Sequence, residues 1–269
     1  LPFQVDNTLR KAINNGEVMF IDQHLSETVE QMRNLQLKKP DVAIIEAVAI
    51  TEDGGIIPTT SVGNSASFAI FAEKVIVEIN TNLSPAFEGL HDIYIPTYRP
   101  TRQAIPLTQV DERIGTHAIN IDPSKIVGIV FNSELHDSPS TVTAPDDETQ
   151  SIANHLIAFF EKEVAEDRLP KNLGPLQAGI GSIANAVLTG LKDSNFEDLI
   201  MYSEVLQDCT FELIDAGKMK FASGSSITLS AKYGEKVFNN LEQYKDKLVL
   251  RPQEISNHPE LVRRLGIIG

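Results

Sequence analysis

Gly179-Ile-Gly-Ser-Ile-Ala-Asn-Ala-Val187 is a glycine turn that leads into a helix, and Tyr202-Ser-Glu-Val205 follows further along the chain. The short apolar run before Glu204 predicts a strand with this carboxylate at its carboxyl end. Ligands bind at the carboxyl ends of strands in α/β sheets, so the amide-rich helix start and the acidic side chain are expected at neighbouring sheet edges. That arrangement suits stabilisation of an oxyanion beside a carboxylate nucleophile, and it suits dinucleotide binding equally well.

Outward from this stretch, the first part of the chain alternates strand-like and helix-like segments. Apolar runs at residues 18–21, 42–50, 75–79 and 125–130 are strand-like, and Ser26 caps a predicted helix that contains Val29 and Met32. Asp53-Gly-Gly55 is a tight turn, followed by a polar, small-residue stretch at residues 59–67. This alternation predicts an α/β fold with mostly parallel sheets.

The middle of the chain contains two segments that interrupt this pattern. Residues 83–123 are rich in proline and turns and predict an extended excursion over the surface. Residues 133–149 are rich in Ser, Thr, Pro and Asp and predict a linker, after which an amphipathic helix runs from about residue 147 or 149 to about residue 164. The predicted domains are therefore residues 1–140 and 141–269.

The second part continues the alternation of strands and helices. Helices are predicted at residues 182–191, near residues 211–216 and in a stretch that ends near Lys247, with strands at residues 199–202 and 248–250. Pro259 opens the last predicted helix.

The bulk composition excludes several classes of function. The 269-residue chain carries a formal charge of −14, whereas nucleic-acid binding requires a basic face. No window approaches the roughly 18 apolar residues of a bilayer span, so no membrane partner is expected. The six histidines form no HxH or HxxxH pair, which argues against a metal site. The single cysteine, Cys209, predicts a reducing compartment and a buried structural thiol.

The glycine turn leaves alternatives open. Gly179-x-Gly181-x-x-Ala184 fits a dinucleotide fingerprint, and Glu204 stands at about the distance of its ribose-binding acid. The preceding strand, Leu173-Gly-Pro-Leu-Gln177, is weak and contains a proline, which counts against this interpretation. A turn needed only for close packing of a helix on a strand is the remaining possibility.

Longer runs of sequence resemble one family, the acetyl-CoA hydrolase/CoA-transferase group of glutamate-dependent CoA-transferases, and are most similar to its fungal members. The most specific runs are Arg168-Leu-Pro-x-Asn-Leu-x-Pro-Leu-Gln-x-Gly-Ile-Gly-x-Ile-Ala-Asn-Ala-Val-Leu188 and Met201-Tyr-Ser-Glu-Val-Leu-Gln-Asp208. Shorter supporting matches are Gly54-Gly-Ile-Ile-Pro-Thr-Thr-Ser-Val-Gly63, Val77-Glu-Ile-Asn80, Gly89-x-His-Asp-Ile93, Arg113-Ile-Gly115 and Ser256-Asn-His-Pro-Glu260.

The resemblance implies two similar α/β domains with the active site between them and Glu204 as the nucleophile. It makes the backbone N–H of Ile180 an oxyanion donor and places Asn257 against Glu204 or the acyl oxygen. CoA binding is expected at Gly179, Gly181, Ser182 and Asn185. The implied activity is CoA transfer between acyl-CoA and acetate or succinate, with some hydrolysis, in acetate metabolism.

The same resemblance implies a homodimer in mitochondria or cytoplasm, with CoA thioesters as substrates and no tightly bound cofactor. The family continues before Leu1 and beyond Gly269, so the sequence is expected to lack both ends. Two rival functions remain: an NAD-dependent oxidoreductase that uses the same glycines, and a non-catalytic CoA-binding module.

Overall fold

The computed structural model describes residues 7–97, 100–134 and 146–268, and most of its strands form two four-stranded sheets. The first sheet comprises β1 (Val42–Ile50), β2 (Ile56–Pro58), β3 (Lys74–Asn80) and β4 (Ile126–Asn132). Its order is β2-β1-β3-β4, with β2 antiparallel to β1 and the other neighbours parallel. Three helices accompany it: α1 (Asn7–Asn14), α2 (Glu27–Arg33) and α3 (Ser65–Phe71).

The second sheet is parallel throughout. Its strands are β5 (Pro175–Leu176), β6 (Leu199–Tyr202), β8 (Met219–Gly224) and β10 (Leu248–Leu250), in the order β10-β8-β6-β5. A separate parallel pair, β7 (Val205–Leu206) and β9 (Ser226–Ile227), lies beyond the ends of β6 and β8. The helices are α4 (Asp147–Ala165), α5 (Ser182–Lys192), α6 (Asp208–Asp215), α7 (Ala231–Phe238), α8 (Gln253–Ser256) and α9 (Pro259–Leu265).

These elements confirm the predicted α/β class with mostly parallel sheets, and the differences are local. Residues 18–21 form no strand, because this short apolar run has no neighbouring strand and Met19 stays 87% exposed. The polar stretch at residues 59–67 contains the start of α3, whose Ala66 and Ala69 are fully buried. The helical stretch predicted to end near Lys247 is α7 followed by two short 3₁₀ turns.

The two sheets share one continuous hydrophobic core that combines side chains from both halves of the chain. The excursion at residues 83–123 contributes to a second cluster, in which Ile105, Leu107 and Val110 pack with residues of the second half such as Tyr202 and Val249. The excursion is therefore partly buried, because its apolar side chains cover the second sheet. The predicted boundary at residue 140 lies outside the described residues, and the division into domains stays a prediction.

His91 lies where the two halves meet. Its Nε2 contacts the carbonyl oxygen of Thr59 at 3.0 Å, and residue 91 forms a parallel bridge with Leu250. The carbonyl needs a donor, so the ring is the tautomer with hydrogen on Nε2. Burial lowers the pKa of His91 to about 4. The histidine is therefore neutral in the folded chain at neutral pH.

The buried His91 makes stability depend on pH. In the unfolded chain the His91 imidazole has a pKa of about 6.5 and becomes protonated below that pH, whereas in the folded chain it stays neutral until about pH 4. The free energy of unfolding therefore falls as the pH drops from about 6.5 to 4. We expect this residue to contribute a loss of about 3 kcal/mol over that window. Urea unfolding of His91→Gln at a series of pH values should show a correspondingly smaller acid-side loss.

His155, the exposed histidine of α4, supplies the matched control for His91→Gln. His155→Gln should keep the pH dependence of the parent protein. If His91→Gln and the parent lose stability in parallel between pH 6.5 and 4, the assignment of this proton uptake to His91 is wrong.

Candidate active site

Glu204 is the second of the two residues, Ser203 and Glu204, that separate β6 from β7. Its backbone carbonyl accepts hydrogen bonds from the N–H groups of Ser225 (2.7 Å) and Ser226 (3.1 Å), which follow β8. The main chain of Glu204 is thus fixed beyond the carboxyl ends of two neighbouring parallel strands, which is where α/β sheets bind ligands.

Two side-chain amides hold the carboxylate of Glu204. Gln253 Nε2 donates to Oε1 at 2.7 Å, and Asn257 Nδ2 donates to Oε2 at 3.1 Å. Gln253 begins α8 and Asn257 follows its last residue, so the two amides stand four positions apart on one side of a single helical turn. We call Gln253 and Asn257 the amide clamp. It orients a half-buried carboxylate without neutralising its charge.

Sequence reasoning placed Asn257 against Glu204 only through the resemblance, and it missed Gln253. The i, i+4 spacing of Gln253 and Asn257 is visible in the sequence, but it becomes a signal only once α8 is known to be helical. The chemical role of both amides stays a proposal.

The glycine turn is fastened to the segment that carries Glu204. Ser203 Oγ donates to the carbonyl of Ala178 (3.0 Å), and Gln207 Nε2 donates to the carbonyl of Gly179 (3.2 Å). Gly181 caps α5 with a φ of 153°, close to the edge of the positive-φ region that favours glycine. The residues on either side of Glu204 therefore hold the turn beside it.

The backbone N–H of Ile180 is available to a ligand. It belongs to the same planar trans peptide as the Gly179 carbonyl, so it points away from Gln207. Within residues 7–97, 100–134 and 146–268 this N–H has no hydrogen-bond acceptor, and the Ile180 side chain is 65% exposed. A free amide next to a helix N-terminus is suited to an oxyanion.

The remaining predicted contacts lie on the same helix. Ser182 is the first residue of α5, and the Asn185 N–H donates to the Gly181 carbonyl at 3.1 Å. The Asn185 side chain faces Cys209, whose Sγ lies 3.5 Å from Asn185 Oδ1. Contacts between CoA and Gly179, Gly181, Ser182 or Asn185 stay predictions.

Cys209 is buried, as its sequence context predicts. Burial raises the pKa of its thiol to about 12, so it carries almost no thiolate at neutral pH. Cys209 is thus a poorer candidate for the nucleophile than Glu204.

In the part of the chain that the structure describes, no helix has both the length and the apolar character of a membrane span. No cluster of three or more His, Cys, Asp or Glu side chains there is arranged to hold a metal ion.

Comparison of the sequence with known proteins identifies relatives. Residues 1–131 match the acetyl-CoA hydrolase/transferase N-terminal domain. The chain is 47% identical over 274 residues to the acetyl-CoA hydrolase of Schizosaccharomyces pombe and 45% identical over 270 residues to the succinyl-CoA:acetate CoA-transferase of Clostridium kluyveri. Both matches include 100% of this chain but only 52% and 50% of those relatives, so the chain spans about half their length.

Solved structures support the fold. RipA from Yersinia pestis superposes with a TM-score of 0.65 over 96% of this chain and 52% of its own, at 18% identity. A 4-hydroxybutyrate CoA-transferase from Porphyromonas gingivalis gives a TM-score of 0.61 over 96% of this chain and 56% of its own, at 20% identity. At such low identity these likenesses establish a shared architecture only.

Proposed function

We propose that this chain, which belongs to the acetyl-CoA hydrolase/transferase family, transfers CoA between an acyl-CoA thioester and a free carboxylic acid. The observation that carries the proposal is the environment of Glu204. Its carboxylate is held by the amide clamp, and its flanking residues hold a glycine turn that presents a free N–H. This arrangement supports Glu204 as the nucleophile and the Ile180 N–H as the oxyanion donor of one site.

The first chemical step is attack by a carboxylate oxygen of Glu204 on the thioester carbonyl. The carbon–sulfur bond breaks and CoA leaves as a thiolate, which produces an acyl-glutamyl anhydride. The Ile180 N–H stabilises the oxyanion that develops during attack, an interaction whose loss typically costs on the order of 10²–10³ in rate. Gln253 and Asn257 hold the carboxylate in one orientation, which reduces the entropy lost on reaching the transition state.

The second step returns the thiolate to the enzyme. CoA attacks the glutamyl carbonyl of the anhydride, the original acid leaves, and Glu204 becomes a glutamyl-CoA thioester. An incoming carboxylate, such as acetate or succinate, then reverses both steps and departs as a new acyl-CoA. Water that captures the anhydride instead gives hydrolysis. All bonds exchanged join acyl carbon to oxygen or sulfur, so the steps require no electron acceptor.

The rival dinucleotide function is less well supported. Both oxygens of Glu204 already accept hydrogen bonds from protein amides, whereas a ribose-binding acid offers its oxygens to hydroxyl groups. Association as a homodimer, residence in mitochondria or cytoplasm, and the absence of a tightly bound cofactor are further inferences from family membership.

The proposal is tested with the complete protein by isotope exchange. Labelled acetate should enter acetyl-CoA, and succinate should take CoA from the glutamyl-CoA thioester faster than water hydrolyses the intermediates. Binding of CoA without exchange would make the protein a non-catalytic module. Nucleotide-dependent stabilisation by NAD but not CoA would support the oxidoreductase instead.

A further inference from the structure

The orientation of Glu204 depends on α8, which is a single helical turn. Both members of the amide clamp are attached to this turn, and all four of its residues are buried. A helix of one turn is not stable by itself in water. Contacts with other elements of the fold must therefore set its position and rotation.

Backbone contacts fix one side of α8. The Gln253 N–H donates to the Gly63 carbonyl at 2.8 Å, and the Tyr202 hydroxyl donates to the Ile255 carbonyl at 2.7 Å. These bonds locate the turn, and Ile255 packs it into the second hydrophobic cluster; none of these contacts involves the side chain of Glu254.

A bidentate ion pair adds a constraint at the side chain of Glu254. Arg33, the last residue of α2, donates through both terminal nitrogens to Glu254 at 2.8 and 2.7 Å, and each side chain is only 4% exposed. Two parallel bonds between planar groups fix orientation as well as distance. Glu254 is the neighbour of Gln253, so this pair connects α2 directly to the turn that carries the clamp.

We propose that Arg33 is a positioning residue for CoA transfer: through Glu254 it sets the rotation of α8 and thereby the direction of the Glu204 carboxylate. This inference rests on the proposed function. A buried ion pair is seldom the most stabilising choice, since apolar residues of similar size often serve stability equally well. A displacement of about 1 Å in a reacting group can lower a rate by 10²-fold, which gives a reason for this pair at this place.

The test compares variants of the complete protein by kcat, KM for acyl-CoA and melting temperature. Arg33→Met/Glu254→Met removes the pair without leaving a buried charge. We expect it to melt near the parent value and to keep KM within about twofold, while kcat falls roughly 10- to 100-fold. Borohydride reduction during turnover should trap correspondingly less modified Glu204.

Two further variants make the result decisive. Arg33→Lys keeps the charge but cannot form the fork, so it should lower kcat with little change in KM even if the double variant folds poorly. Arg102→Met breaks a half-exposed pair between Arg102 and Glu30 of α2 and should leave kcat unchanged.

The inference is overturned if either Arg33 variant folds and keeps the parent kcat, or if the loss appears in KM alone. Failure of the proposed function is distinguishable, because it would leave the parent protein itself without exchange activity.

Discussion

Replacing Glu204 with glutamine in the complete protein is expected to lower kcat for CoA transfer by at least about 10³-fold. The amide nitrogen of glutamine cannot attack the thioester, so neither the anhydride nor the glutamyl-CoA thioester forms. The substitution also removes one of the two oxygens of residue 204 that accept from the amide clamp, because an NH₂ group would then face Gln253 or Asn257. Labelled acetate exchange measures the loss, and mass spectrometry after borohydride treatment should find no modified residue at position 204.

The matched control is Glu235→Gln on the exposed surface of α7, which should exchange acetate at the parent rate. Glu204→Ala guards against deamidation of the glutamine back to glutamate and should be equally inactive. Exchange by Glu204→Ala at more than a few per cent of the parent rate would contradict the nucleophilic role. Modification of a different residue after borohydride treatment would contradict it as well.

Replacing Arg251 with methionine is expected to destabilise the fold by about 3–5 kcal/mol. Arg251 is fully buried and forms an ion pair with Asp92 from the other half of the chain. It also donates to Ser223 Oγ at 3.0 Å and to the carbonyls of Val110 and Glu112 at 3.0 and 2.5 Å. Methionine removes all of these donors and leaves the Asp92 carboxylate buried without its counter-ion.

Urea unfolding should show a large fall in midpoint at an unchanged m-value. Arg251→Met/Asp92→Asn removes the buried charge that has lost its counter-ion. Asparagine keeps an Oδ1 to accept from the Ile114 and Gly115 N–H groups, so the double variant should recover part of the loss. Lys38→Met, which breaks an exposed pair with Asp41, is the control and should leave the midpoint almost unchanged. A midpoint for Arg251→Met equal to that of Lys38→Met would refute the structural importance of the buried pair.

The local part of the site was predictable from sequence because it is encoded in short patterns. The apolar run of β6 and the glycines before α5 establish a strand end and a helix start, and these positions bring Glu204 and Ile180 to one edge of the sheet. The mostly parallel pairing of the strands also followed from the alternation of helices and strands, since parallel strands require crossover connections, whereas the strand order was not predicted.

The contacts that orient Glu204 were not predictable in this way. The glutamate and Gln253 are 49 positions apart, and Arg33 and Glu254 are 221 apart. The first pairing depends on how the elements of the second half pack, and the second depends on how α2 packs against α8; local sequence periodicity predicts neither. The buried stretch of the excursion was missed for the same reason, because its apolar residues find their partners only on the second sheet.

The hydrogen bonds around Glu204 also determine which amide protons exchange with solvent. The N–H groups of Ser225 and Ser226 bind the Glu204 carbonyl, while those of Val62 and Ile227 cross between the halves to Ser225 and Thr60. The Val62 and Ile227 protons can exchange with deuterium only when the halves separate, so their exchange should be as slow as global opening. Among the residues that the structure describes, the Ile180 N–H makes no such hydrogen bond, so its proton should exchange with deuterium without any opening of the fold. The backbone of Glu204 is therefore held in place while the neighbouring Ile180 N–H stays open to an incoming oxygen, as the proposed function requires.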